Sequence, residues 1–252
     1  MARRIGWILV FIAVAANAQT PRRQVNEDCK NDANLGFTAL GGKVSAFGGG
    51  MGLNLCSEAE RNRWALSAAG SITRVGESGN EPATTVQNRN LEAGHEYHFT
   101  KPLFTVMRVE YEMNTAQGLE SRVVLAPGVG TEIRPQWGSV AFETGLQRNW
   151  ENVRGEPRKA FPEGWLRASL GWMIRPNVIF GQKLEFDGNT NNRRDYRYKT
   201  DTSLRVRLTE KLSLKTGYKT SWDRTPAKGF SRSVWTTDTA LVIQWGEGRR
   251  RQ

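Results

Sequence analysis

The chain has 252 residues, a formal net charge of +11 and a mean hydropathy of −0.56. Beyond residue 18 no stretch approaches the roughly 18 consecutive apolar residues of a transmembrane helix, so no helical membrane span is expected in the mature chain. So basic a balance ordinarily points to nucleic acid. Here the basic residues alternate with acids or gather near the ends (Arg22, Arg23, Arg249, Arg250, Arg251), and nucleic acid is not expected as a partner.

The chain begins as an export signal. Arg3 and Arg4 precede the apolar run IGWILVFIAVAA, and Ala16-Asn17-Ala18 is a small-residue cleavage site, so residues 1–18 are expected to leave after Ala18. Residues 19–34 are a polar lead-in. Residues 35–55, LGFTALGGKVSAFGGGMGLNL, carry Phe37, Phe47, Met51, Leu53 and Leu55 at strand-like spacing, interrupted by glycines. Glycine weakens a strand, so this stretch reads either as an extra hairpin or as a plug-like segment. Cys29 and Cys56 are the only cysteines, and in an oxidising compartment two such cysteines most simply form a disulfide. No CxxC or Cys/His cluster supports a zinc site. No cofactor or metal is expected.

From Trp64 the chain alternates with period two. Trp64, Leu66, Ala68 and Ile72 oppose Ser67, Ala69 and Ser71; Leu91, Ala93, His95 and Tyr97 oppose Asn90, Glu92 and Glu96. The pattern continues with Leu103–Tyr111 against Arg108, Glu110 and Glu112, then Val123–Ile133 against Arg122 and Glu132. Val140–Leu146 oppose Glu143, Leu166–Trp172 oppose Arg167, and Val178–Phe186 oppose Lys183 and Glu185. It is clearest from Tyr196 to Trp245. There Leu204, Val206, Leu214, Tyr218, Leu241 and Ile243 share one face, and Arg197, Lys199, Asp201, Arg205, Arg207, Lys215, Lys219 and Asp238 the other. Alternation over ten or more residues means strands with one apolar and one polar face. Soluble strands average about 5–6 residues, whereas a barrel strand crossing a membrane needs about 9–11.

The breaks between these runs alternate long (75–83, 114–120, 151–163, 187–194, 223–233) and short (100–102, 134–136, 175–177, 209–211), with 151–163 the longest. Outer-membrane barrels have short periplasmic turns and longer extracellular loops. The expected fold is therefore all-β: an antiparallel up-and-down transmembrane β-barrel over residues 64–245, of about ten strands, or twelve if residues 35–55 add a hairpin. Residues 19–63 would form an N-terminal segment and 246–252 a basic periplasmic tail. The expected aromatic girdle has Trp64, Phe99, Trp137, Trp172 and Trp245 at one end, and Trp150, Phe186, Tyr196, Trp222 and Trp235 at the other.

The segments WALSAAGSITRVGESGN and LTEKLSLKTGYKTSWDRTPAKGFSRSVWTTDTALVIQW resemble the first and last strands of the salt-induced outer-membrane proteins, a β-barrel family of unknown function. The chain departs from that pattern in the seven residues after Trp245 and in a strand count short by one hairpin. The resemblance implies an outer-membrane barrel and supplies no catalytic residues.

Chemistry beyond that is sparse. His95 and His98 are the only histidines. A lipid hydrolase would need a nucleophile–His pair with an orienting partner. His95 has the lipid-facing parity, and both histidines read as interfacial polar residues. The DGNTNNRRD loop (187–195) has calcium-loop-like oxygen spacing without the later bidentate Glu, and Asx turn chemistry accounts for it. The inward face balances Arg108, Arg122, Arg167, Lys183, Arg197, Lys199, Arg205, Arg207, Lys215 and Lys219 against Glu110, Glu112, Glu132, Glu143, Glu185, Asp201 and Asp238, with Glu92, Glu96 and Asp187. Balanced charges can pair and fill a lumen or leave a narrow, weakly selective channel. The expected function is a non-catalytic outer-membrane barrel, structural or a narrow passive pore, in a Gram-negative envelope. Its partners would be outer-membrane lipid, the insertion machinery, and small solutes or ions. A barrel enzyme acting on envelope lipids and a soluble periplasmic lipocalin-like binding barrel are the alternatives.

Overall fold

A computed structural model describes residues 29, 31–40, 44–77, 84–228, 230 and 232–245. The expected signal peptide and basic tail lie outside them. The strands are β1 (Asn31–Leu40), β2 (Val44–Ala59), β3 (Asn62–Glu77), β4 (Thr84–His98), β5 (Leu103–Asn114), β6 (Leu119–Ile133), β7 (Gly138–Val153), β8 (Lys159–Arg175), β9 (Val178–Asn189), β10 (Tyr196–Arg207), β11 (Leu212–Asp223) and β12 (Ser233–Trp245). Each pairs antiparallel with its sequence neighbours, and β1 closes on β12. The closing register sets Asn31 opposite Trp245 and Leu35 opposite Leu241. The glycine-rich stretch is thus a hairpin, and the barrel has twelve strands. Gly48, Gly49 and Gly50 sit in β2 with backbone partners on both β1 and β3. A closed barrel satisfies every strand from both sides, which overrides the weak strand propensity of glycine.

The burial pattern is that of a membrane protein. Leu35, Leu53, Leu66, Leu91, Val109, Leu125, Phe142, Leu166, Leu184, Leu204, Leu214 and Leu241, one from each strand, are exposed on the outer wall. The residues beside them in sequence point inward and are largely polar, with Arg108, Glu110, Arg122, Glu143, Glu163, Arg197, Arg205, Lys215 and Asp238 all buried. In water such an exterior would be an aggregation surface. In lipid it is the stable face, and the strands span the membrane as a transmembrane β-barrel.

Both termini of the barrel lie at one end, here the terminal end. The opposite, loop end carries connections 115–118, 154–158, 190–195 and 224–232. The terminal end carries 60–61, 99–102, 134–137, 176–177 and 208–211. One expectation fails: 151–163 is not the longest loop. Trp150 pairs with Ala160 and Glu151 with Lys159, so β7 and β8 run on and leave only 154–158. Beyond the apolar belt the outward positions Arg148, Asn152, Ala160 and Pro162 contrast little with the inward ones, and the sequence there loses the alternation that marks a strand.

The loop end is partly covered. Residues Thr115–Gln117 form a 3₁₀ turn in which the Ala116 N–H donates to Asn114 Oδ1, and Gly118 follows at φ 70°. A side chain on Gly118 would crowd the Phe230 ring at 2.6 Å, so the 224–232 loop packs onto this turn. Gln117 Nε2 donates to Ser221 Oγ on β11 at 3.2 Å, across the mouth from β5. In the 190–195 loop Asn189 Oδ1 accepts from the backbone N–H groups of Asn191 and Asn192, and Asn189 Nδ2 donates to Asp195. These oxygens cap a turn.

Candidate functional site: the charged lumen

The inward positions converge into three groups. The first crosses the barrel at the loop end. Lys199 on β10 lies 3.2 Å from Glu112 on β5. Glu112 is 3.4 Å from Arg122 on β6, which reaches Glu151 on β7 at 2.8 Å. Glu151 meets Arg197 on β10 at 3.2 Å, and Arg197 donates to both oxygens of Glu163 on β8 at 2.7 and 2.8 Å. Gln147 and Asn149 of β7 donate to Glu163 as well, at 2.8 and 2.6 Å. Because β5 and β10 are five strands apart in a ring of twelve, the Lys199–Glu112 contact traverses the lumen.

The second group lies lower and combines charge with aromatic packing. Arg108 of β5 pairs with Glu143 of β7, and Arg167 of β8 donates to Glu110 of β5 at 2.6 Å. Arg167 is also 3.8 Å from Glu185. Both guanidinium groups lie over the Trp165 ring, at 4.4 and 5.5 Å from its centroid. Weakly hydrated guanidinium groups favour such a face, and pairing with carboxylates satisfies their edges. Trp165 packs inward with Phe104, Val106, Val124 and Ala126 as an apolar patch on one wall. Gly128 makes room for the ring, since a Cβ there would overlap it, and a Cβ on Gly145 would run into the Pro127 carbonyl oxygen and press on the ring at 3.0 Å.

The third group occupies β9 to β12. Asp201 stands opposite Lys183 on β9 and Lys219 on β11, with its Oδ2 3.8 Å from Lys219 Nζ. Asp238 faces Gly217, between Lys215 and Lys219. Arg205 and Lys215 are buried and directly opposite each other.

Most of the residues expected in the lumen come together in these groups. Two stand apart. Glu132 pairs with Arg134 at 3.1 Å beside the terminal-end turn, and Arg207 is exposed at that rim. Of the expected girdle, Trp64, Phe99, Trp137, Trp150, Trp172, Phe186 and Trp245 are exposed on the outer wall. Tyr196 and Trp222 pack together at 5.2 Å between ring centroids, and Trp235 lies 6.3 Å from Tyr218. His95 faces outward, its ring 4.1 Å from Trp64 and its Nε2 3.0 Å from Asn62 Oδ1. His98 faces inward, 3.3 Å from Glu96 and 5.1 Å from the Phe104 ring. Cys29 and Cys56 are joined as a disulfide, with their Cα atoms 5.3 Å apart.

Sequence reading missed Glu151, Glu163 and Trp165. The first two fell in the expected loop. Trp165 shares the inward parity of Arg167, so the signal was present but was masked by the aromatic's apolar character.

A cavity of about 150 Å³ opens at the loop end of the lumen, lined by residues of β4, β5, β9, β10, β11, β12 and the 3₁₀ turn. Its charged lining is Lys183, Lys199, Lys219, Glu112, Glu185 and Asp201.

The architecture recurs in solved membrane barrels. An outer-membrane channel from Pseudomonas putida F1 superposes with a TM-score of 0.55 at 10% identity, covering 88% of this chain and 97% of that one. The NanC porin matches at 0.52 and 9% identity, over 84% and 97% of the two chains. The translocator domain of the autotransporter NalP from Neisseria meningitidis matches at 0.50 and 11%, over 86% of each. At such identities the likeness is one of fold. No curated protein matches the chain. The model of the family described as "Protein of unknown function, DUF481" matches residues 48–245, from the second strand of the barrel to its last, and the chain belongs to that family.

Proposed function

We propose that the protein is a non-catalytic barrel of the Gram-negative outer membrane, structural or at most a narrow passive pore, whose lumen is largely filled by balanced charge. The terminal end faces the periplasm and the loop end the exterior, in keeping with short turns on the inner side. Outer-membrane lipid surrounds the apolar wall, and the barrel insertion machinery delivers the exported chain. The observation that carries this reading is the Lys199–Glu112 contact across the lumen. It is continued through Arg122, Glu151, Arg197 and Glu163, so fixed charges of both signs stand in the path of any ion. A conducting pore tends to show one sign of charge at its constriction, and this lumen shows both. His98 meets Glu96 and Phe104 rather than a nucleophile, which favours a passive barrel over an enzyme.

The test is single-channel recording in planar bilayers. The wild-type protein is expected to show little steady current. Glu112→Gln combined with Lys199→Met removes the crossing pair together and is expected to raise the current. A large wild-type conductance would overturn the narrow-lumen reading. An unchanged current in the folded double variant would show that this network does not set the constriction.

A further inference from the structure

Arg74 on β3, Arg89 on β4 and Arg148 on β7 share the outward parity of Ile72, Leu91 and Leu146. All three are exposed and stand towards the loop end of their strands. Arg148 is set in an apolar surround. Leu125 and Pro162 are its cross-strand partners, and Leu146 and Trp150 precede and follow it on the same face. Trp150 belongs to the loop-end girdle, so Arg148 stands at the depth where hydrocarbon gives way to headgroups. Arg89 has Gly70 and Met113 beside it and Leu91 next on its face, and it donates to Gln87 Oε1 at 3.4 Å. Arg224, just past β11, lies over the Tyr196 ring of the same girdle, 5.8 Å from its centroid. The lumen arginines Arg108, Arg122, Arg167 and Arg197 all meet carboxylates. Among the described residues, no carboxylate lies within ion-pair distance of Arg74, Arg89 or Arg148. A guanidinium keeps its charge at any physiological pH. At the edge of the hydrocarbon its stem lies along the apolar wall while its head reaches to the interface, where it requires acceptors.

We propose that the loop-end rim of the outer wall docks lipids with an exposed phosphate headgroup, Arg89 and Arg148 each taking the phosphate of its own lipid. The planar fork donates in parallel to two phosphate oxygens, a match that a neutral or choline-covered headgroup does not offer. The acyl chains then run down the wall, over Leu146 below Arg148 and over Leu91 below Arg89. Two features of the surface select this occupant. The apolar surround takes hydrocarbon chains, the fork without a carboxylate takes an anion, and a phosphate-headed lipid carries both on one molecule. Arg74 and Arg224 add positive charge to the same rim and attract the same headgroups. The inference goes beyond the reading of the lumen. It concerns the outer wall, and lipid binding is measured apart from conductance.

The experiment is native mass spectrometry of the full, folded barrel released from uncharged detergent micelles carrying dioleoyl phosphatidic acid. Dioleoyl phosphatidylcholine and dioleoylglycerol are run in parallel, with the same chains and the phosphate covered or absent. Phosphatidic acid is expected to stay bound, and the other two to bind about tenfold more weakly or worse. Arg89→Gln and Arg148→Gln are each expected to weaken phosphatidic acid several-fold, and the double variant to lose most of the preference. Arg61→Gln, in the exposed turn at the terminal end, is expected to leave it unchanged. Inorganic phosphate at the lipid's concentration is expected to displace none of it. Heat-modifiable gel migration confirms that each variant is folded, and if Arg148→Gln does not fold, Arg89→Gln still decides. Equal retention of phosphatidylcholine, or unchanged retention in the double variant, overturns the proposal. So does an equal loss in Arg61→Gln, which would mean general attraction to a basic protein. Complete displacement by inorganic phosphate would assign the arginines to the free ion and overturn it as well. A barrel that conducts and retains phosphatidic acid sinks the filled-lumen reading alone, and one that neither conducts nor retains it sinks the lipid site alone.

Discussion

Arg197 on β10 and Glu163 on β8 are joined across the intervening strand by hydrogen bonds of 2.7 and 2.8 Å to both carboxylate oxygens, and both residues are buried. Such a pair compensates two desolvated charges, and removing one partner leaves the other unmatched. Arg197→Met is therefore expected to destabilise the barrel by about 3–5 kcal/mol. Glu163 would keep only its bonds from Gln147 and Asn149. Arg197→Met combined with Glu163→Met should recover much of that loss. Urea unfolding in micelles, followed by tryptophan fluorescence, measures both. A loss well under 1 kcal/mol for the single variant would mean that water solvates the pair as at a protein surface.

Trp165 depends on the absence of side chains at Gly128 and Gly145, whose Cβ atoms would run into the ring or into backbone oxygens of Thr144 and Pro127. Gly145→Val has no flexible neighbour to displace and is expected to block assembly of the heat-modifiable form. Trp165→Ala removes the ring that Phe104, Val106, Val124 and Ala126 pack against, at about 3–5 kcal/mol. Combining Trp165→Ala with Gly145→Ala should relieve part of the clash. If the pair is no better folded than Gly145→Ala alone, the backbone contact rather than the ring sets the constraint.

Much of this architecture is legible in the alternation itself. Period two fixes which residues face lipid, and Leu204 outward beside Arg205 inward follows directly from it. The pattern fails where its contrast vanishes. Glu151 and Glu163 lie past the apolar belt, where the outward positions Arg148, Asn152, Ala160 and Pro162 no longer offer a run of large apolar side chains, and the strands there look like loop. Gly48 to Gly50 offer no side chain to alternate, and only the pairing of β2 with both neighbours reveals a strand. Which inward charges meet is set by strand tilt and side-chain reach. The Lys199–Glu112 pair joins residues 87 positions apart, and no local spacing signals it.

The Cys29–Cys56 disulfide ties the residues ahead of β1 to β2 near the closing seam of the barrel. Thiol labelling of the denatured, unreduced protein is expected to find neither cysteine reactive. Reduction should lower stability by about 2–4 kcal/mol, in line with closing a loop of this size. Two labelled cysteines in the mature protein would refute the bridge.

The membrane face itself is tested on adjacent residues of β10. Leu204 is 37% exposed on the outer wall, and Arg205 is 4% exposed in the lumen. Leu204→Arg puts a charge into lipid and is expected to reduce stability by about 2–4 kcal/mol if it lies near the midplane. Arg205→Leu is expected to be better tolerated at the level of insertion, because the outer belt is untouched. It also removes one of two facing cations, Arg205 and Lys215. The comparison is made by folding into lipid vesicles and reading the heat-modifiable fraction on gels. A tolerated Leu204→Arg beside a damaging Arg205→Leu would reverse the two faces, and the transmembrane reading would go with them.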